Sequence, residues 1–348
     1  SKSYEGNAAG QYEVLARGVR IELTPEGSGS DYWTYDGSPK GYVASIYDES
    51  GNSDIEEGVD FDFVYSYRAV DQDGYPISGG YHSNKAPTDV GYYRVTVSAN
   101  NQNYELTSAS TRFEIFKAEY SAIDLTQFLS AEDGGRMIEF SAGGQQFIFV
   151  YTYDGKEHKA VFSNEYLSTH IVGADDSSPT AKFADGTTGK INVRDNDQTI
   201  MVNDIEYYYK KITITFTTAS GNYHAPDDVT VYVAVTPLSV DVNWGETEYT
   251  YDSEDHKTDI KPVYRNVDDS DVPLAIDDGR SPAAFETVGS YEFYAKFDDG
   301  DNEFGNYVLS DDSEQFVINE RQIFIEVSDY GMAYGDTAPA AQSAQGKW

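Results

Sequence analysis

The sequence predicts an all-β chain of tandem immunoglobulin-like β-sandwiches in an elongated array. Three observations predict it. Apolar and polar residues alternate at period two, turn residues interrupt these runs at short intervals, and one ordered set of motifs occurs three times. Alternation at period two marks a strand that packs one face and wets the other. Phe61, Phe63, Tyr65 and Tyr67 share one face, opposite Asp62, Ser66 and Arg68. Ile212, Ile214 and Phe216 alternate with Lys211, Thr213 and Thr215, and Val229, Val231, Val233 and Val235 with Thr230, Tyr232 and Thr236. Tyr291, Phe293, Ala295 and Phe297 repeat the pattern. Turn clusters at Asp71–Gly74, Ser141–Gly144 and Asp298–Asp301 separate such runs. Helical periodicity is confined to Asp124–Glu132, about two turns.

The repeats set the organisation. Trp33-Thr-Tyr-Asp-Gly-Ser-Pro-Lys40 returns as Tyr151-Thr-Tyr-Asp-Gly-Lys-Glu-His-Lys159 and as Tyr249-Thr-Tyr-Asp-Ser-Glu-Asp-His-Lys257. Aligned on their lysines, the first copy is one residue shorter. A second element reads Val90-Gly-Tyr-Tyr93 and Val288-Gly-Ser-Tyr291, with Glu206–Thr213 as a looser middle version. A third reads Gln102-Asn-Tyr104, Gly221-Asn-Tyr223 and Gly305-Asn-Tyr307. Each copy closes on an alternating strand that runs straight into the next: Phe113–Ile115 into Lys117, Tyr232–Val235 into Thr236, Phe316–Ile318 into Asn319. Without a Gly/Ser linker, such a junction restricts bending and predicts a semi-rigid rod. The predicted domains are a tail of a preceding unit at 1–14, repeats at 15–116, 117–236 (with an insertion near 118–146) and 237–319 (shortened), and the start of a truncated further repeat at 320–348.

These motifs, in this order, resemble the MBG-type immunoglobulin-like repeats of large bacterial cell-surface proteins, over most of residues 14–339. The middle copy departs from the pattern in lacking a Val-Gly pair before its Tyr-rich strand. The resemblance implies tandem sandwiches in extracellular stalks and adhesins, usually without catalysis, and supplies no ligand.

Composition narrows the chemistry. The 348 residues carry 24 Lys+Arg against 60 Asp+Glu, a formal net charge of −36, so nucleic acid and anionic lipid are disfavoured partners. No apolar run is long enough to span a membrane. The absence of Cys excludes disulfides, Cys-zinc sites and thiol catalysis, and suits an exported chain. His82, His158, His170, His224 and His256 form no zinc-helix spacing, and no nucleophile elbow or phosphate loop is present. No enzyme activity, and no cofactor, is therefore expected.

Candidate sites are few. In the Tyr-Asp-Gly element, Tyr35, Tyr153 and Tyr251 with Lys40, Lys159 and Lys257 read as a turn whose Tyr ties a sandwich corner. Hard oxygen donors cluster at Asp298, Asp299, Asp301 and Glu303, the best candidate for calcium. Counted from Asp299, the EF-hand Gly slot holds Phe304 and the bidentate Glu slot Ser310. Asp71 and Asp73, Asp195 and Asp197, and Asp268, Asp269 and Asp271 are lesser acidic groups. Three successive tyrosines, Tyr207, Tyr208 and Tyr209, must send at least one ring to the far face of their strand, where it could stack on a sugar or a protein. A Lys–Asn or Lys–Asp isopeptide cross-link has no triple identifiable from sequence. The expected function is a structural or adhesive stalk on a bacterial cell surface, packed against neighbouring surface repeats. The alternatives are a module binding host glycan or glycoprotein through Tyr and acidic loops, and an accessory part of a polysaccharide- or wall-acting extracellular enzyme.

Overall fold

A computed structural model describes residues 17–27, 29–48, 61–100, 104–141, 145–195, 198–298 and 300–325, with isolated positions at 10, 11, 13, 334, 335 and 337. Most of the expected tail at 1–14 and of the expected further repeat at 320–348 lies outside them, as do Asp197, Asp299 and residues 142–144. The alternating runs are strands, and the chain is all-β, of immunoglobulin-like sandwich sheets.

Contacts gather the chain into two compact units. The first holds Ser1–Glu132, Lys159–Thr188 and Lys211–Val231; the second holds Asp133–His158, Gly189–Lys210 and Tyr232–Trp348.

In the first unit, one sheet orders Tyr42–Asp48, Arg17–Pro25 and Tyr104–Leu106. Arg17–Pro25 pairs antiparallel with Tyr42–Asp48 and parallel with Tyr104–Leu106. The second sheet orders Tyr32–Thr34, Ala109–Phe116, Gly91–Asn100, Asp62–Val70 and His82–Ser83. The two meet on one core. Val19, Ile21, Ala44 and Ile46 come from the first sheet; Trp33, Tyr67, Val95, Val97, Phe113 and Ile115 come from the second. Burying a Val, Ile or Phe contributes about 1.5–3 kcal/mol each. Trp33 is edge-on to both Tyr42 and Phe113, so the aromatic content of the sequence is spent largely on packing.

The same unit holds two helices. Asp124 accepts from the Thr126 amide and starts Leu125–Phe128, a single turn where the periodicity predicted two. It stops because Leu129–Ala131 pairs antiparallel with Ala160–Phe162. The second, Asn164–His170, is capped by Ser163, whose hydroxyl accepts from the Tyr166 amide. That helix was not anticipated, although the Ser cap and Glu165 in the first turn are sequence signals.

In the second unit, Arg136–Ser141 pairs antiparallel with Gln145–Thr152, whose residues 148–152 pair parallel with 232–236. Phe147 to Tyr151 are buried without a break, the mark of a strand covered on both faces. The third copy closes on Trp244, Tyr264, Phe285, Phe293, Phe316 and Ile318. Lys190 is fully buried and its ammonium meets Asp195, which makes Asp195 an ion-pair partner.

Candidate functional site

The repeated motifs converge on one arrangement, seen twice. It begins with the Thr before the Tyr-Asp turn. Thr34, Thr152 and Thr250 each pair in parallel with the last residue of the closing strand: Phe116, Thr236 and Asn319. The next residue then donates its N–H to that same closing residue, at 2.9 Å in all three copies (Tyr35, Tyr153 and Tyr251). First and last strands of each copy are thereby locked together, and the Tyr-Asp turn projects beyond them.

Within the turn, an acid and a base four residues apart hold the backbone. Asp36 contacts Lys40 Nζ at 2.5 Å, Asp154 contacts His158 at 2.9 Å, and Asp252 contacts His256 at 3.1 Å. Lys40 therefore stands where His158 and His256 stand, and the copies have equal length. The sequence alignment of Lys40 with Lys159 and Lys257 is corrected. Lys159 lies over the Phe183 ring, and Lys257 pairs with Asp278. Burial pushes the Asp36 carboxyl up, but hydrogen bonds from Lys40 and Ser38 outweigh it and hold it at about 2. For His256, burial favours the neutral ring, while Asp259 and Asp252 overcome this and raise its pKa above the ordinary value. The third position of the turn lies in the left-handed region: Gly37 at φ 80°, Gly155 at 77° and Ser253 at 75°. Glycine adopts this without strain and Ser does not.

The corner-tying hydroxyl belongs elsewhere than expected. Tyr93 donates to the Asp89 carbonyl and Tyr291 to the Thr287 carbonyl, each at 2.9 Å. The Val-Gly element thus makes the tyrosine corner, not Tyr35, Tyr153 or Tyr251.

Each of the first two turns is met by the Asn-Tyr strand of the following copy. At the first, the Tyr35 and Tyr223 rings are 5.6 Å apart and near-perpendicular. Asn222 Oδ1 accepts from the Val90 amide at 3.0 Å, and the Asn222 carbonyl accepts from the Ala118 amide at 2.9 Å. At the second, Tyr153 and Tyr307 are 5.3 Å apart and near-perpendicular. Asn306 Oδ1 accepts from the Val193 amide at 2.9 Å, and the Asn306 carbonyl from Leu238 at 2.9 Å. Val193 takes the place of Val90, so the middle copy supplies the missing Val from a loop.

A fourth repeated element completes the contact and escaped the sequence reading. Ala174-Asp-Asp-Ser177 and Val267-Asp-Asp-Ser270 form the same turn, with Asp176 and Asp269 left-handed at φ 59° and 64°. Asp175 accepts from Ser177, and Asp268 from Ser270, each at 2.5 Å. Ala174 lies where a Cβ on Gly37 would fall, at 2.9 Å, and Val267 where one on Gly155 would, at 3.2 Å. The Ala174 amide donates to the Tyr223 hydroxyl at 2.7 Å. Part of the signal was in the sequence: the string Asp-Asp-Ser begins 47 residues ahead of Asn222 and 38 ahead of Asn306, although it recurs at 311–313 outside this arrangement.

The other candidates fall apart from this arrangement. Tyr207 is buried in a core with Ile148 and Val150, Tyr208 lies under the Arg194 guanidinium, and Tyr209 packs edge-on against Tyr232. Asp298 accepts from the Asp301 amide in a turn, with Glu303 exposed nearby in sequence. Among the described residues no three His, Asp or Glu side chains are placed to hold a metal ion. Asp71 caps its own turn by accepting from Tyr75.

No family model matches the chain, and no curated protein matches it. Similar solved structures include Bacteroides ovatus SGBP-B, of a mixed-linkage glucan utilization locus, in complex with a mixed-linkage heptasaccharide. It is 11% identical over 83% of this chain, with a TM-score of 0.16. This chain spans 66% of that one. Human CDH23 EC21-23 is 11% identical, covering 83% of this chain and 97% of its own, with a TM-score of 0.24. Protocadherin gammaB7 EC3-6 is 11% identical, covering 89% and 77%, with a TM-score of 0.21. Likenesses this distant carry no functional information.

Proposed function

We propose that the chain is a non-enzymatic spacer, a semi-rigid run of sandwich repeats in the external part of a bacterial cell-surface protein. The observation that supports it most is the recurrence of one latch, Tyr against Tyr with Asn on a backbone N–H, where one repeat meets the next. Such a contact, added to a direct strand connection, resists bending, and that is what a stalk requires. The motif resemblance and the net charge of −36, which keeps an exposed chain soluble, agree with the reading. Small-angle scattering tests it. A compact chain of this length has a radius of gyration of roughly 20 Å. The expected value is well above that, and a value near it would end the proposal.

A second reading, recognition of a glycan, is favoured by one feature. An open cleft of about 320 Å³ is lined by Tyr32, Tyr92 and Phe116, with Asp31, Asp71 and Glu114 on its rim. Tyr32 and Phe116 are exposed rings 5.9 Å apart. Aromatic faces beside carboxylates suit the apolar face and hydroxyls of a sugar. On a glycan array, binding that disappears in Tyr32→Ala and survives in Tyr208→Ala would support this cleft. An array without hits leaves the spacer role alone.

A further inference from the structure

We infer that the end of the third copy is an acceptor face for the Asn-Tyr strand of another sandwich of this kind. The inference rests on the repeat reading above and adds to it a specific surface and its occupant.

The parts of the face are fixed by register. Gly91 pairs with Ile115 and Gly289 with Ile318, so Val288 is the counterpart of Val90. Gly91 and Gly289 sit at φ 153° and 155°, and each stands two residues before the Tyr that ties its corner. The Val90 and Val193 amides each donate to an Asn of the next copy. Val288 is exposed, and among the described residues its N–H has no acceptor. Tyr35 is 5% exposed beneath Tyr223, whereas Tyr251 is 36% exposed.

The segment after Asn319 carries the same message. Arg17 pairs in parallel with Tyr104, Ala118 with Tyr223, and Leu238 with Tyr307. Counted from the closing residues Phe116, Thr236 and Asn319, Arg321 falls in that register. Ile323 and Ile325 then match Val19 and Ile21, which are 4% and 9% exposed in their core. Ile323 and Ile325 are 65% and 75% exposed. By register they occupy the inward positions of a first strand, and among the described residues 321–325 are unpaired and form no strand. Transferring such side chains from water is what a docking sandwich would gain.

The occupant follows from the two filled examples: a strand bearing Asn then Tyr, with a small-residue turn beside it. Residues 326–348 contain no Asn, so that segment cannot supply the latch. Ser253 presents a Cβ where Gly155 meets a Val267 methyl at 3.2 Å and Gly37 meets the Ala174 Cβ at 2.9 Å, so a docked turn of the Val267 kind fits with a small shift and one of the Ala174 kind does not.

Amide hydrogen exchange tests the face. The full chain through Ile325 is continued with a second copy of residues 243–319, which keeps 321–325 as the first strand in register. In the unaltered chain, Val90 and Val193 are expected to exchange slowly and Val288 fast. In the extended chain, Val288 is expected to slow at least tenfold. Tyr251→Ala, or Asn→Ala at the added Asn-Tyr pair, is expected to abolish the slowing, and Tyr251→Phe to keep it. A Val288 rate unchanged by the extension overturns the inference, even if the added residues fail to fold, because at Ala118 and Leu238 this pairing is part of the fold. Slow exchange in the unaltered chain that becomes fast on truncation after Ile325 also overturns it, since residues 326–348 would then be the occupant. A compact particle by scattering would remove the spacer reading and leave this test untouched.

Discussion

Asn222 and Asn306 each satisfy a backbone N–H that lies 132 and 113 residues away along the chain. Their surroundings differ, and so should their mutants. Asn222→Ala frees a half-buried amide that water can reach, at a cost of about 1 kcal/mol. Val193 is buried, so Asn306→Ala leaves a donor without water or partner and is expected to cost about 2–3 kcal/mol. Chemical denaturation of the two variants checks the order, and an equal or reversed cost would show that the amides are not held as described. The Asn-Tyr strings were visible as repeats, but repetition alone does not say what the Asn does. A side-chain amide declares its partner only when a distant backbone group is placed opposite it. The same holds for Lys40, aligned by residue type with Lys159 and Lys257 until the i,i+4 pairing with Asp36 placed it beside the histidines.

The three Tyr-Asp turns share a backbone, but the first has Lys40 where the third has His256, which gives those two different pH responses. A carboxyl held down contributes stability that is present above its unfolded pKa and is lost as pH falls through the folded value. For Asp36 that window runs from about pH 4 to about 2. The His256 pKa is raised, so its contribution is complete below the ordinary His value and is lost as pH rises through the higher folded one. The third copy is therefore expected to unfold more readily at pH 8.5 than at pH 6 (~2 units across the histidine range), and His256→Gln to flatten that dependence. Thermal unfolding at the two pH values, followed at Trp244, is the measurement, and greater stability at the higher pH would refute the assignment. Among elements, the strands were the most legible. Phe293 and Ala295, or Ile212 and Ile214, are buried on the face that alternation chose. Helices were the least legible. Leu125–Phe128 is cut short because the next residues find a strand partner, and tertiary pairing overrides a weak helical preference.

At the scale of the molecule, many of the described Tyr and Phe lie in cores or where repeats meet, while others, such as Tyr32, Tyr75 and Phe116, are exposed. Asp175, not singled out by sequence, and Asp268, one of the lesser acidic candidates, each anchor the turn that meets the preceding repeat. The sequence by itself determined the all-β class, the faces of the strands and the threefold order of motifs. Those properties are written in local periodicity, because backbone geometry dictates which neighbours share a face. Only the tertiary structure decided that the Tyr-Asp turn of one repeat receives the Asn-Tyr strand of the next. That contact depends on groups more than a hundred residues apart being brought within hydrogen-bonding range, and no local rule encodes a distance set by folding.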